Sequence, residues 1–124
     1  MKDTFRKLKK TPDFDPNLPT IQRGLLHLLL ECSEKKDFPE WNDRRRAEPF
    51  TPIYLQCIDL SSRYFEKVNL DHAHLEGCKL RGANLKKASL INVFFNSCDM
   101  AEADMSGANL LGAHLDNVNL CNAE

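Results

Sequence analysis

Residues 81–115 read RGANLKKASLINVFFNSCDMAEADMSGANLLGAHL, with a large apolar residue at every fifth position. Counting outward, the multiples of five from 55 to 120 are Leu, Leu, Phe, Leu, Leu, Leu, Leu, Leu, Phe, Met, Met, Leu, Leu and Leu. The chain is 42% hydrophobic. Against that background chance gives fourteen such matches in about one trial in tens of thousands, even with five registers allowed. Neither an α-helix nor a flat strand repeats in fives.

A second and a third position share the period. Two residues before each of these fourteen centres, from 53 to 118, thirteen residues are small or β-branched apolar ones, Arg63 being the exception, and Ala123 continues the series. The residue just before the centre is Asn or Asp seven times: Asp59, Asn69, Asn84, Asp99, Asp104, Asn109 and Asn119. Glycines 77, 82, 107 and 112 each follow a centre by two. Small-in, polar-out, large-in is the alternation of a strand. The remaining pair suits a corner, because Asn, Asp and Gly bond locally or tolerate unusual backbone angles. Leucine-rich repeats space their leucines unevenly, which an unbroken period of five excludes.

The pattern resembles the pentapeptide-repeat family, whose members read A(D/N)LXX in tandem. The sharpest matches are Ala83-Asn84-Leu85, Ala103-Asp104-Met105, Ala108-Asn109-Leu110 and Val118-Asn119-Leu120, and the resemblance covers residues 53–124. It implies an all-β fold, a right-handed quadrilateral β-helix with four pentapeptides per coil. Fourteen centres then make about three and a half coils, rising about 4.8 Å each if coils pair like strands.

Composition breaks near residue 50. All six prolines and the single Trp41 precede residue 53, and four of five glycines follow it. Residues 1–50 thus form an N-terminal segment and 51–124 the repeat array. In the first, Thr20 is expected to N-cap a helix near 20–35, with Ile21, Leu25, Leu28, Leu29 and Cys32 on its apolar face and Leu26 and Leu30 widening it. Residues 37–52, with three prolines and Arg44-Arg45-Arg46, read as an irregular connector. The helix is expected to cap the first coil, whose apolar end would otherwise be open. Arg63 either marks an irregular first coil or reaches beneath that cap to a carboxylate. At the other end the repeat runs to Glu124. Open backbone groups there invite pairing, so the end either forms a homodimer through its uncapped coil or belongs to a longer array.

Residues twenty apart should stack. This puts Tyr54, His74, Phe94 and His114 in one outward row, and Asp71, Ile91 and Leu111 in the neighbouring one. Ile91 and Leu111 stand where polar residues are usual. With Phe94 around the corner they form the candidate interaction surface, together with Tyr54, His74 and His114. Cys78 and Cys98 occupy inward small positions and read as ordinary core residues. Lys79, Arg81, Lys86 and Lys87 are balanced by Asp99, Glu102 and Asp104 one coil on, so a solvated surface is expected rather than a phosphate track.

Other classes find no support. Formal net charge is −1, so no global field recruits nucleic acid or anionic lipid. The longest apolar run, Leu25 to Leu30, is too short to span a bilayer, and residues 1–15 lack the apolar core of a secretory signal. A cytoplasmic protein is expected. Five cysteines without a CxxC pair argue against a disulfide framework or a typical zinc site. No nucleophile–base pair, phosphate loop or metal-ligand spacing stands out, so neither cofactor nor metal is expected; His72 and His74 form an H-x-H pair without a third ligand. The leading expectation is a non-enzymatic protein–protein interaction scaffold. The resemblance supplies an alternative, mimicry of duplex DNA that protects a type II topoisomerase from quinolones. That job calls for a strongly acidic rod, and residues 51–124 carry six basic and nine acidic side chains. A targeting fragment of a longer protein is the other alternative.

Overall fold

The computed structural model describes residues 20–124; the reading of residues 1–15 lies outside them. From residue 53 the backbone repeats one unit every five residues. Three residues extend, the middle one facing outward, and two turn. The outward residues pair with their equivalents twenty residues on through single parallel bridges: Tyr54 with His74, Asp59 with Lys79, Tyr64 with Asn84, Asn69 with Ser89, and so on to Asp99 with Asn119. Four bridges per twenty residues give a coil with four sides. The expected all-β class holds only in a coarser form. A side is three residues long before the chain must turn, so pairing stays as isolated bridges and no continuous strand forms among the described residues. Two helices complete the fold.

Each corner is a β-turn. The residue two after each centre has φ between +57° and +72°, from Cys57 to Asn122. From Phe65 onward the centre's carbonyl accepts from the amide three residues later, as in Val68 N to Phe65 O at 3.1 Å. Positive φ at the third turn residue alone defines a type II turn. All seven Asn and Asp residues before a centre do the same work. Each accepts, through Oδ1, from the amide two residues on: Ser61, Asp71, Lys86, Ala101, Ser106, Leu111 and Cys121 in turn. Ser89 breaks the Asn/Asp pattern, and the coil before it compensates. Asp71 Oδ1 accepts from Ile91 N at 3.0 Å and from Ser89 Oγ at 2.6 Å.

The axis is filled by the centres and the small residues beside them. Leu55 to Met100 are at most 1% exposed at every centre. Arg63 does not break the coil, since Asn84 N still donates to its carbonyl at 2.9 Å. Its side chain is half-buried, and burial lowers its pKa while the carboxylates of Glu34 and Asp59 oppose that shift.

The N-terminal end is closed by α1 (Thr20–Lys35) and α2 (Pro39–Ala47). Helix α2 corrects the expectation of a connector. Pro39 falls where the helix needs no amide hydrogen bond, Glu40 sits in the first turn and Arg44, Arg45 and Arg46 in the last, as the helix dipole favours. Trp41 and Arg45, one turn apart, are buried. In α1 the buried stripe is Gln22, Leu25, Leu26, Leu29, Leu30, Cys32 and Ser33. Ile21, expected inward, is 71% exposed, and Thr20, expected as N-cap, is the first helical residue.

Gln22 faces the coil because the coil's first edge carries unpaired amides and carbonyls, which must be satisfied when covered. Within the array Ser89 N donates to Val68 O, Ser89 O accepts from Leu70 N, and Ile91 O accepts from His72 N. One coil earlier, at the same register, cap side chains make these bonds. Asn69 N donates to Asn42 Oδ1 at 2.9 Å, Trp41 Nε1 to Asn69 O at 2.7 Å, and Arg45 Nη2 to Asp71 O at 3.2 Å. Asn42 Nδ2 also reaches Lys67 O at 3.0 Å. On the next side, Tyr54 N donates to Gln22 Oε1 at 2.7 Å, as His74 N does to Ile53 O at 2.8 Å. The cap's side chains thus imitate the backbone of a preceding coil.

Candidate functional site on one side of the coil

The side built from residues 53–55, 73–75, 93–95 and 113–115 carries the outward rings. Bridge pairing holds their backbones one coil apart, close to the thickness of two stacked rings. Tyr54 and His74 have ring centroids 4.8 Å apart, tilted by 37°. His74 and Phe94 stack at 4.3 Å and 8°, and Phe94 and His114 at 4.3 Å and 4°. Stacking occupies the ring faces and turns their edges outward. Inserted bases and aromatic cages for cations both need open faces. Phe94 also separates the two imidazoles by two ring spacings, too far for them to share a metal ion.

Ile91 and Leu111 sit at the corner leading into this side, one coil apart. Leu111 is 71% exposed and Ile91 half-buried. Tyr54 and His114 are exposed, while His74 and Phe94 are half-buried by their neighbours. The six candidate residues therefore lie on one side and its leading corner. His72, at positive φ on that corner, and His74, mid-side, belong to no group of three His, Cys, Asp or Glu able to hold a metal among the described residues.

The trailing corner adds a feature that the sequence reading missed. Gln56, Glu76, Asn96 and Asp116 form a polar column there. Glu76 Oε2 lies 3.4 Å from His74 Nδ1, and Asn96 Nδ2 donates to Asp116 Oδ2 at 3.4 Å. Glu76 Oε1 and Asn96 Oδ1 are shielded from solvent without a donor. Writing the sequence in rows of twenty would have revealed this column, since 56, 76, 96 and 116 then align.

The other sides neutralise themselves. Arg81 pairs with Asp99 at 3.1 Å and Lys86 with Asp104 at 3.5 Å. The Asp99 carboxyl is held below the usual carboxylate range by the Ala101 amide first, then by Arg81 and Asn119. The core thiols are packed and hydrogen-bonded. Cys78 and Cys98 Sγ donate to Leu55 O and Leu75 O, 2.9 Å each. Burial pushes Cys78 up to about 12 and Cys98 up to about 11, opposite to an activated cysteine. Two open pockets, of about 330 and 390 Å³, lie against the cap helices, away from the ring row.

A family model described as a pentapeptide repeat region matches residues 50–124. No curated protein matches. Among solved structures, a pentapeptide repeat protein from the Arabidopsis thaliana thylakoid lumen is 31% identical over 52% of this chain and 45% of its own, with a TM-score of 0.51. HetL, a pentapeptide repeat protein involved in heterocyst differentiation regulation in the cyanobacterium Nostoc sp. strain PCC 7120, is 26% identical over 53% of this chain and 31% of its own, with a TM-score of 0.53. This chain thus spans less than half the length of either. With the match over residues 50–124 and the fivefold backbone unit in agreement, the chain belongs to the pentapeptide-repeat family.

Proposed function

We propose that this protein is a non-enzymatic scaffold that binds another protein through the ring-row side of its coil. The observation that carries this reading is the apolar pair Ile91 and Leu111 at an outward corner, where polar residues are usual, beside the stacked rings of Tyr54, His74, Phe94 and His114. A surface apolar patch on a rigid repeat more often marks an interface than an accident. Cys78 and Cys98 are buried with raised pKa values, which favours a packing role for these two over a nucleophilic one. The scaffold is taken as the right-handed quadrilateral β-helix that the family resemblance implies; four bridges per twenty residues support it.

One further part belongs to the proposal. The setting is cytoplasmic, which suits five free cysteines; among the described residues no helix is long and apolar enough to cross a membrane. DNA mimicry is not favoured, because Arg81 and Lys86 interrupt any acidic surface.

The test is a pull-down from an extract of the source cells, with light scattering on the purified chain. Wild type should retain a protein that the Ile91→Asp/Leu111→Asp variant loses and Glu102→Lys keeps. A strictly monomeric chain that retains nothing contradicts the proposal.

A further inference from the structure

We infer that the partner segment bound by the ring-row side is basic as well as apolar: a stretch of polypeptide that sets Lys or Arg beside large apolar side chains. This rests on the docking role proposed above and specifies its chemistry. The observation is where the charge lies. The array carries nine acidic and six basic side chains. The ring-row side with its two corners comprises residues 51–57, 71–77, 91–97 and 111–117. It contains Asp71, Glu76 and Asp116 and no lysine or arginine. The remaining six acidic and six basic residues of the array balance. With histidines counted as neutral, the array's whole net charge of −3 is therefore on this one side.

The three carboxylates differ in availability. Asp71 is occupied by Ser89 Oγ and Ile91 N, and Arg45 of the cap reaches its carbonyl. Glu76 and Asp116 lie on the trailing corner, each with one long contact of 3.4 Å, Glu76 Oε2 to His74 Nδ1 and Asp116 Oδ2 to Asn96 Nδ2, and one oxygen left over. Glu76 Oε1 and Asn96 Oδ1 have no donor, and the Glu76 side chain is 36% exposed. Imidazoles His72, His74 and His114 are the only side chains here that can turn cationic. The surface thus reads, across its width, as an apolar corner, ring edges, and an acidic corner. A partner matching it sets apolar side chains on Ile91 and Leu111 and cationic ones on Glu76 and Asp116. Phosphate backbones are repelled by the same column. Complementary charge raises on-rate and selectivity, while the apolar contact holds the complex.

The probes are three synthetic peptides of equal length: an amphipathic Lys/Leu peptide, the same with Glu for every Lys, and the same with Ser for every Leu. Binding to the full chain is read by fluorescence anisotropy. The Lys/Leu peptide alone should bind, and its affinity should fall between about 50 and 300 mM salt as surface charges are screened. Glu76→Lys/Asp116→Lys should weaken it about tenfold, as should Leu111→Ser, with Glu102→Lys on another side leaving it unchanged. Asp116→Lys alone serves if the double variant is unstable to urea. Equal binding of the Glu/Leu or Lys/Ser peptide, no binding by any peptide, or equal behaviour of the Glu76/Asp116 and Glu102 variants overturns the inference. If the Glu/Leu peptide binds and Leu111→Ser abolishes it, docking at this side stands and only the basic partner falls; if Leu111→Ser changes nothing, both fall.

Discussion

Asn42 offers a sharp test of how the array begins. Its side-chain amide accepts from Asn69 N at 2.9 Å and donates to Lys67 O at 3.0 Å, standing in for a backbone that does not precede this coil. Asn42→Ala removes both bonds. Each net hydrogen bond is worth about 1 kcal/mol, and a covered amide left unpaired costs somewhat more. Water can reach part of this edge, so the expected loss is about 1.5–2 kcal/mol. With a urea m-value of about 1–1.5 kcal/mol/M, the unfolding midpoint should fall by about 1–2 M. The only tryptophan, Trp41, is a residue of the cap, fully buried where α2 meets the coil, so its fluorescence reports the cap while far-UV circular dichroism reports mainly the coil. Because neighbouring coils stabilise one another, both signals should shift together. Asn42→Asp keeps the acceptor for Asn69 N but sets a carboxylate oxygen against Lys67 O, and should recover less than half the loss. A midpoint shift below about 0.3 M, or a tryptophan transition that moves while the coil's does not, refutes the account of the cap as a coil mimic.

Other outcomes follow from the same geometry. Asp59, Asp99 and Asp104 have pKa values lowered chiefly by their own turn hydrogen bonds to Ser61, Ala101 and Ser106. Their stabilisation is therefore full above the ordinary carboxylate range, about pH 4, and lost as pH falls through the lowered folded values. Urea midpoints measured from neutral to acid pH should show this, and Asp99→Asn, which keeps the acceptor, should flatten the decline. Cys57 and Cys121 are exposed while Cys32, Cys78 and Cys98 are buried. Two thiols should thus react with a disulfide reagent in the native protein and three only on unfolding; rapid native labelling of Cys78 contradicts the packing. Glycines should split in sign. Gly112 has φ +70° and an added Cβ would collide with Asn92 Oδ1, so Gly112→Ala should cost about 1–3 kcal/mol. Gly24, in α1 with nothing within 4 Å of an added Cβ, should gain about 0.5–1 kcal/mol as alanine. Thermal melts decide both.

The coil was legible because its physics is periodic. Each centre, each small neighbour and each Asn or Asp performs the same task at every turn, so fourteen weak signals add. The cap was not, because its decisive residues act once. Gln22 and Asn42 are polar residues on short helices, and nothing in their spacing tells that their amides will face an open coil edge. Pro39 and the Arg44–Arg46 run resembled a connector, although both suit the ends of a nine-residue helix. Ile21 followed the helical period yet turned outward, because Gln22 was needed inward. The ring row could be placed by stacking residues twenty apart; the same alignment holds Gln56, Glu76, Asn96 and Asp116, but polar residues are usual at that turn position and so did not stand out.

The central claim is that this one side of the coil, rather than the others, meets a protein partner. Photo-crosslinking in the source cells tests it directly, with a benzophenone amino acid replacing Leu111 in one chain and Glu102 in another. A discrete protein adduct is expected from position 111, none from 102, and its loss when Glu76→Lys/Asp116→Lys is added. Equal adducts from both positions, or none from 111, would contradict it.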